Sequence, residues 1–370
     1  MRVAFLSPEL GPSYGWARYA FELAAALSAQ GVDVVALTQP GAAIPADAGV
    51  ADARPVLPPL VPRPRLFVPH SLLALPRVRR AAADCDLVHV IAEPYSPLGA
   101  LAAGRRPLVV TAHGTYVPQT SGRRWIGALY RWAYRRAHLL AVSDYTAARV
   151  RAALPGAAVT VIKNGVHFDR FQQPAPAPVK HGPTILATGG VKARKGTHLL
   201  VAALAQVRQH VPDAQLVVTG GEDPGYPEVV QQAVAAHRLQ ASVHLVGMIA
   251  ENALRGWYQH ADVFALPSFN VGDKFEGFGL VFLEASASGL PVVGTRGSGV
   301  EEAVVEGETG LLVPQQDVTA LAAAITRLLQ DDALRARLGA AGRAYAQTQD
   351  WSAVAGRVRG LYERVLATGG

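Results

Sequence analysis

The sequence predicts an α/β protein of two doubly wound domains, each a mainly parallel sheet with helices on both faces. Three observations predict it. The chain has 370 residues, more than one domain of about 100 to 200 residues needs. Half of the residues are hydrophobic and 17% are charged, which supplies sizeable cores and argues against a disordered chain. Short apolar runs alternate with helical patterns, and the alternation starts afresh after a proline-rich break near the middle.

In the first half, residues 3–7, 32–38, 87–91, 108–112, 139–142 and 159–162 are near-continuous apolar runs of strand length, the pattern of buried parallel strands. Residues 17–30 carry apolar side chains at helical spacing and stop at Gly31. Residues 40–80, rich in proline and arginine, yield no strand assignment. The stretch QQPAPAPVKHGP, residues 172–183, alternates proline with small residues and reads as an extended linker. The expected domains are therefore 1–171 and 184–350. Strand candidates of the second are 184–188, 216–219, 243–246, 263–266, 291–293 and 311–313, after which the pattern is helical.

Cys85 is the single cysteine. That excludes a disulfide framework and any zinc or iron-sulfur site built on this chain's cysteines, and fits a reducing cytoplasm. The N-terminal stretch lacks the long apolar run of a secretory signal, and no later run reaches the roughly 18 residues of a spanning helix. The net charge is +7, with +9 in residues 1–170 and −2 in the remainder. A basic surface attracts nucleic acid, acidic lipid or phosphorylated small molecules, so charge alone does not choose among them.

The most informative motif is FEGFGLVFLEASAS, residues 275–288, which follows a strand candidate and opens a helix. Gly277 and Gly279 permit close backbone approach, and amides at a helix start can bind phosphate or sugar oxygens. At about 1.5 Å per helical residue, Glu284 lies roughly 7 Å along the helix. Glu276 and Glu284 could therefore touch two parts of one ligand. Alone, they read equally as a cap-region acid and a solvated helix residue. The turn GGVKARKG, residues 189–196, sits between strand and helix at the carboxyl edge of a sheet. Its Lys192, Arg194 and Lys195 offer charge to a diphosphate; the bland alternative is a solvated basic turn. It is neither a Walker loop nor the dinucleotide fingerprint, so an NAD dehydrogenase is weakly supported. In the first half, Gly11 and Gly15 lie between strand and helix, and His113 ends a strand, where a lone histidine is more often a structural hydrogen-bonder. Asp84 and Asp86 read as a polar strand entry rather than a metal pair. The basic stretches 62–80 and 123–136 fit contact with an anionic membrane, reach towards a phosphorylated acceptor, or surface helices with buried stripes, with core packing favoured for the second and membrane contact and plain surface equally for the first.

Taken in order, these segments resemble the retaining glycosyltransferases of family 4, of GT-B architecture, in which two Rossmann-like domains face each other across a cleft. Phe275 to Glu284 resembles the family's E-x7-E signature, and the segments PVVGTRGSGVEEAVV, VVEGETGLLVP, VIKNGVHFDRF and AVSD resemble its neighbours. The resemblance implies a nucleoside-diphosphate sugar, of UDP or GDP type, as co-substrate, with no further cofactor and no essential metal. Glu284 would bind ribose; Glu276 with Gly277, Phe278, Gly279 and Leu280 would hold the sugar; Gly189, Arg194 and Lys195 would hold the diphosphate. His113 would approach the sugar and the Gly15 turn the diphosphate or acceptor. It also implies return of residues 351–370 to the first domain. The expectation is a cytoplasmic hexosyltransferase acting on a hydroxyl acceptor (sugar, glycolipid or small molecule). It includes anionic membrane contact through the first domain and no nucleic-acid partner. The rivals are a noncatalytic sugar-nucleotide or glycan binder and a GT-B sugar-nucleotide 2-epimerase. Three positions depart from the pattern: Gly190 where arginine is usual, Tyr14 where glycine is, and the insertion FNVGDK at 269–274.

Overall fold

A computed structural model describes residues 1–11, 15–60 and 64–368; Tyr14 lies outside them. The chain divides into two units, Met1–Asn164 with Trp351–Gly370, and Gly165–Asp350. The first contains β1 (Arg2–Leu6), α1 (Trp16–Ser28), β2 (Asp33–Thr38), β3 (Val50–Pro55), α2 (Pro64–Ala81) and β4 (Leu87–Val90). It continues with α3 (Ser96–Ala103), β5 (Leu108–Ala112), α4 (Tyr116–Ser121), α5 (Gly127–Arg136), β6 (His138–Ala141), α6 (Asp144–Ala153) and β7 (Val159–Val161). Its seven strands are parallel in the order β3-β2-β1-β4-β5-β6-β7. The order reverses direction at β1, so a crevice opens beyond the carboxyl ends of β1 and β4, where such sheets bind ligands.

Residues 40–80, unassigned from sequence, hold β3 and α2. As an edge strand, β3 is paired on one side only, and its side chains alternate between half-buried and exposed. It therefore lacks the apolar run of a central strand, and Pro55 is tolerated at its end. Pro69 and Pro76 lie inside α2 and disguise it, because proline ordinarily breaks a helix. The favoured core packing of 123–136 holds only in part. Tyr130, Ala133 and Tyr134 of α5 are buried, but Trp125 and Trp132 are 73% and 44% exposed.

The second unit contains α7 (Phe168–Gln172), β8 (Thr184–Ala187), α8 (Thr197–Val207), β9 (Gln215–Thr219), α9 (Tyr226–Ala236), β10 (Val243–Gly247) and α10 (Glu251–His260). It ends with β11 (Val263–Ala265), α11 (Leu280–Ala287), β12 (Val292–Thr295), α12 (Val300–Ala303), β13 (Gly310–Val313), α13 (Val318–Gln330) and α14 (Asp332–Thr348). Its parallel order is β10-β9-β8-β11-β12-β13, reversing at β8. Of the expected linker 172–183, Gln172 ends α7 and residues 173–183 form no helix or strand, yet the stretch is packed within this unit. Gln172 Nε2 donates to the Ala287 carbonyl at 2.7 Å, Gln259 Oε1 accepts from the Ala175 amide at 3.1 Å, and Lys180 Nζ meets Asp262 at 2.7 Å.

The last helix, α15 (Trp351–Thr368), belongs to the first unit. It buries Trp351, Val354, Ala355, Val358, Leu361 and Tyr362, the three-and-four spacing of one helix face. That face packs on α1. Tyr362 Oη lies 2.6 Å from His89 Nδ1, and His89 Nε2 lies 2.7 Å from Thr111 Oγ1, tying α15 to β4 and β5 by a fully buried chain.

Candidate active site

In the second unit the site grows from the turn after β8, at the reversal point. The Gly190 amide donates to the Thr219 carbonyl at 2.9 Å, and the Val191 amide to Gly221 at 2.9 Å, which clamps the turn against the end of β9. Gly190 has φ of 95°, and a Cβ there would lie 2.0 Å from the Gly221 carbonyl oxygen. This explains the glycine where arginine was expected: the backbone of the neighbouring turn occupies the space. Gly189 is bare on the side where Lys195 passes, its virtual Cβ 3.6 Å from Lys195 Cε.

Lys195 Nζ donates to Glu276 Oε2 at 2.7 Å, and Arg194 reaches the same oxygen at 3.4 Å. The three groups thus meet, although 81 residues separate Lys195 from Glu276. Burial pushes the Glu276 carboxyl up, but the charges of Lys195 and Arg194 outweigh it and hold it below the ordinary value. Glu276 is ionised at neutral pH, and the cluster of two cations and one carboxylate keeps one net positive charge, suited to an anion. Lys192 is not part of this contact; it is half-buried at the start of the turn.

The Glu276 carbonyl accepts from the Gly299 amide at 2.9 Å, which fixes the chain between the acid and α11. Gly279 caps α11 with φ of 87°, and a Cβ there would press on the Phe282 ring at 2.8 Å. Leu280 opens the helix, whose first amides have no partner within it and present partial positive charge. Phe278 is 2% exposed, so its side chain is packing. Gly277 lies directly against Gly299, whose virtual Cβ would sit 2.0 Å from the Gly277 oxygen.

Glu284 is not a solvated helix residue. It is 4% exposed and accepts from Tyr258 Oη at 2.8 Å, while Tyr258 Oη lies 2.8 Å from Thr188 Oγ1. With the tyrosine proton given to the carboxylate, the threonine hydroxyl donates to the tyrosine. This chain links Glu284 to the residue preceding Gly189. Sequence reading missed Tyr258 and Thr188, which look like ordinary helix and strand residues. The insertion 269–274 is a tight turn, with Val271 and Lys274 bonded to each other at 2.9 and 3.0 Å. It is moored to the turn 189–196 by the Phe269 amide on the Arg194 carbonyl at 3.0 Å and to Gln315 through the Asn270 amide at 2.8 Å.

Gly15 and His113 belong to the first unit and form a second cluster there, at the carboxyl ends of its strands. Gly15 caps α1. His113 Nε2 donates to the Ile91 carbonyl at 3.0 Å, which leaves Nδ1 as the acceptor nitrogen. Burial pulls the His113 pKa down to about 4, so the ring is neutral at physiological pH. The Tyr19 ring meets it edge-on at 4.7 Å. Sequence reading missed Glu93, which accepts from the His113 amide at 2.8 Å and from the Trp16 indole at 2.6 Å. Asp84 is taken by Arg54 at 2.7 and 2.9 Å, and Asp86 by the Arg2 amide at 2.7 Å.

Two parallel doubly wound units, one with a Lys-Arg-Glu cluster beside a glycine-capped helix at its reversal point, define the GT-B class of sugar-transferring folds. The chain matches the description Glycosyltransferase Family 4 over residues 14–170 and Glycosyl transferases group 1 over residues 169–345. It is 35% identical over 303 residues to a GDP-mannose-dependent alpha-(1-6)-phosphatidylinositol monomannoside mannosyltransferase of Mycolicibacterium smegmatis, covering 76% of this chain and 77% of that protein. It is 33% identical over 302 residues to a phosphatidyl-myo-inositol mannosyltransferase of Mycobacterium leprae, covering 79% and 78%. A sucrose-phosphate synthase structure from Thermosynechococcus elongatus superposes with a TM-score of 0.81 at 27% identity, covering 99% of both chains. The chain belongs to glycosyltransferase family 4. Among the described residues, no helix is long and apolar enough to cross a membrane.

Proposed function

We propose that the protein is a retaining hexosyltransferase that moves a mannose- or glucose-type sugar from a GDP- or UDP-sugar to a hydroxyl acceptor. The observation that carries this reading is the meeting of Lys195 and Arg194 on Glu276 beside the start of α11. In this reading the diphosphate displaces neither cation. Lys195 and Arg194 bind its oxygens beside the bare edge of Gly189, while Glu276 holds both side chains in place and takes sugar hydroxyls. The amides of Gly277, Phe278, Gly279 and Leu280 complete the sugar and phosphate contacts, and Glu284, oriented by Tyr258, takes the ribose. Gly15 and His113 serve from the first unit, His113 as a neutral hydrogen-bonder to the sugar.

Negative charge grows on the diphosphate as the bond to the sugar breaks, and fixed cations stabilise that state more than the ground state. The acceptor hydroxyl then attacks from the face the diphosphate leaves, and the leaving oxygen takes its proton. Charge on the leaving group comes from side chains, so transfer is expected to persist in EDTA.

GDP-mannose and an inositol phospholipid head the substrates, because the relatives are named for them and the +9 charge of residues 1–170 suits an anionic acceptor at a cytoplasmic membrane face. The test is incubation with GDP-mannose or UDP-glucose and vesicles containing phosphatidylinositol, followed by product analysis and vesicle cosedimentation at low salt. A glycolipid with the donor's anomeric configuration supports the reading. An epimerised sugar formed without acceptor, or donor binding with neither transfer nor hydrolysis, would replace it with an epimerase or a binding protein. Absence of vesicle binding removes the membrane part alone.

A further inference from the structure

We propose that Glu93 is a positioning residue that fastens the Gly15 turn to the end of β5, so that His113 and the start of α1 act as one piece of the transfer site. The proposal rests on the roles assigned above to Gly15 and His113, but the geometry is its own. Glu93 follows β4, the strand beside β1 at the reversal of the first sheet. One carboxylate oxygen accepts from the His113 backbone amide at 2.8 Å, and the other from the indole of Trp16, the residue directly after Gly15, at 2.6 Å. The Ser96 hydroxyl donates to the Glu93 carbonyl at 2.7 Å and fixes its backbone.

The carboxylate is 1% exposed. The groups facing it are Trp16 from α1, His113 from the end of β5, Tyr116 from α4 and Tyr134 from α5, and among the described residues no cation contributes to its environment. An unpaired buried charge is expensive, and a site that needed only packing would be better filled by an apolar side chain. What a carboxylate provides there, and an amide does not, is two acceptor atoms at once. Glutamine would aim its NH2 at one of the two N–H donors. Protonation weakens the pair in the same direction, since the O–H oxygen accepts far more poorly than a carboxylate oxygen and its proton needs an acceptor of its own. Burial raises the Glu93 pKa to about 7, partly offset by hydrogen bonds from the His113 amide, its own backbone amide and the Trp16 indole, so the complete fastening forms as pH rises through neutrality.

The experiment follows the full chain, wild type and Glu93→Gln, by two readouts. The first is the Trp16 indole N–H resonance, identified by its loss in Trp16→Phe. It should move with a midpoint near pH 7 in wild type and stay fixed in Glu93→Gln. The second is transfer: Glu93→Gln should lower kcat about 10- to 100-fold, as a displacement near 1 Å does, while nucleotide binding by the second unit is unchanged. The acid limb near pH 7 in the wild-type rate should vanish in the variant; His113, with its pKa near 4, does not produce that limb. An indole that does not titrate between pH 5.5 and 8.5, or a variant with the wild-type rate and acid limb, overturns the proposal. If Glu93→Gln does not fold, the wild-type indole titration and rate profile decide it alone, and discordant midpoints refute it. Wild type that transfers no sugar and binds no nucleotide counts against the proposed function, and the indole titration still decides the fastening.

Discussion

Gly190 stands where the family resemblance implies arginine, and geometry at one atom accounts for it. Any side chain would collide with the Gly221 carbonyl and would have to adopt φ of 95°. Gly190→Ala should therefore cost more than about 2 kcal/mol, from strain plus displacement of the neighbouring turn. Thermal or denaturant unfolding of the variant checks this; wild-type stability would mean the two turns are not clamped. Gly190→Arg should behave no better, and in the proposed site Arg194, which reaches Glu276 at 3.4 Å, is the second cation. At this scale the candidate site was partly legible. Glu276, Lys195 and Gly279 stand out because the segments around them resemble the family's signature; alone, the charges read equally as a cap-region acid and a solvated basic turn. Glu93, Tyr258 and Thr188 do not stand out, because their significance lies in partners 20 to 77 residues away.

The helix α15 is held by its apolar face, by Gln30 Nε2 donating to the Ser352 carbonyl at 2.6 Å, and by the buried polar chain from Tyr362 to His89 to Thr111. Burial lowers the His89 pKa to about 3, so the folded protein keeps this ring neutral. The unfolded chain binds a proton there near pH 6.5, the folded one does not, and stability from this group is present above pH 6.5 and lost as pH falls towards 3. Its contribution to that loss approaches about 1.4 kcal/mol per pH unit. Tyr362→Phe should leave a buried ring nitrogen without its partner and cost about 1 to 3 kcal/mol. Melting temperatures at pH 7.5 measure it; a change below the error of the melt would show that the Tyr362–His89 bond does not help to hold α15. Elements were the most legible scale where strands are central, since runs such as LVVTA at 108–112 are buried on both faces. The edge strand β3 and the proline-bearing α2 escaped for the opposite reason: partial exposure erases the apolar run, and proline masks the helical period.

Across the whole molecule, each sheet reverses strand order once, and each reversal carries one cluster: Lys195, Arg194 and Glu276 in the second unit, and Gly15, His113 and Glu93 in the first. Membership of glycosyltransferase family 4 follows from matches over nearly the whole chain, and the two-sheet plan was legible because the alternation of strands and helices restarts after the proline-rich stretch. That stretch looked like a free linker because proline and alanine carry no pattern, and only the structure reveals its packing on Gln259 and Asp262. The central claim is that the second unit's cluster holds a sugar nucleotide. The most direct test is the melting temperature of the full chain with GDP, UDP, ADP and their sugar conjugates, for wild type and Lys195→Ala. Ligand bound only by the folded state raises the melting temperature by mass action. The account predicts a rise with one nucleotide family in wild type and its loss in Lys195→Ala. No rise with any nucleotide at millimolar concentration, or an equal rise in the variant, would contradict it.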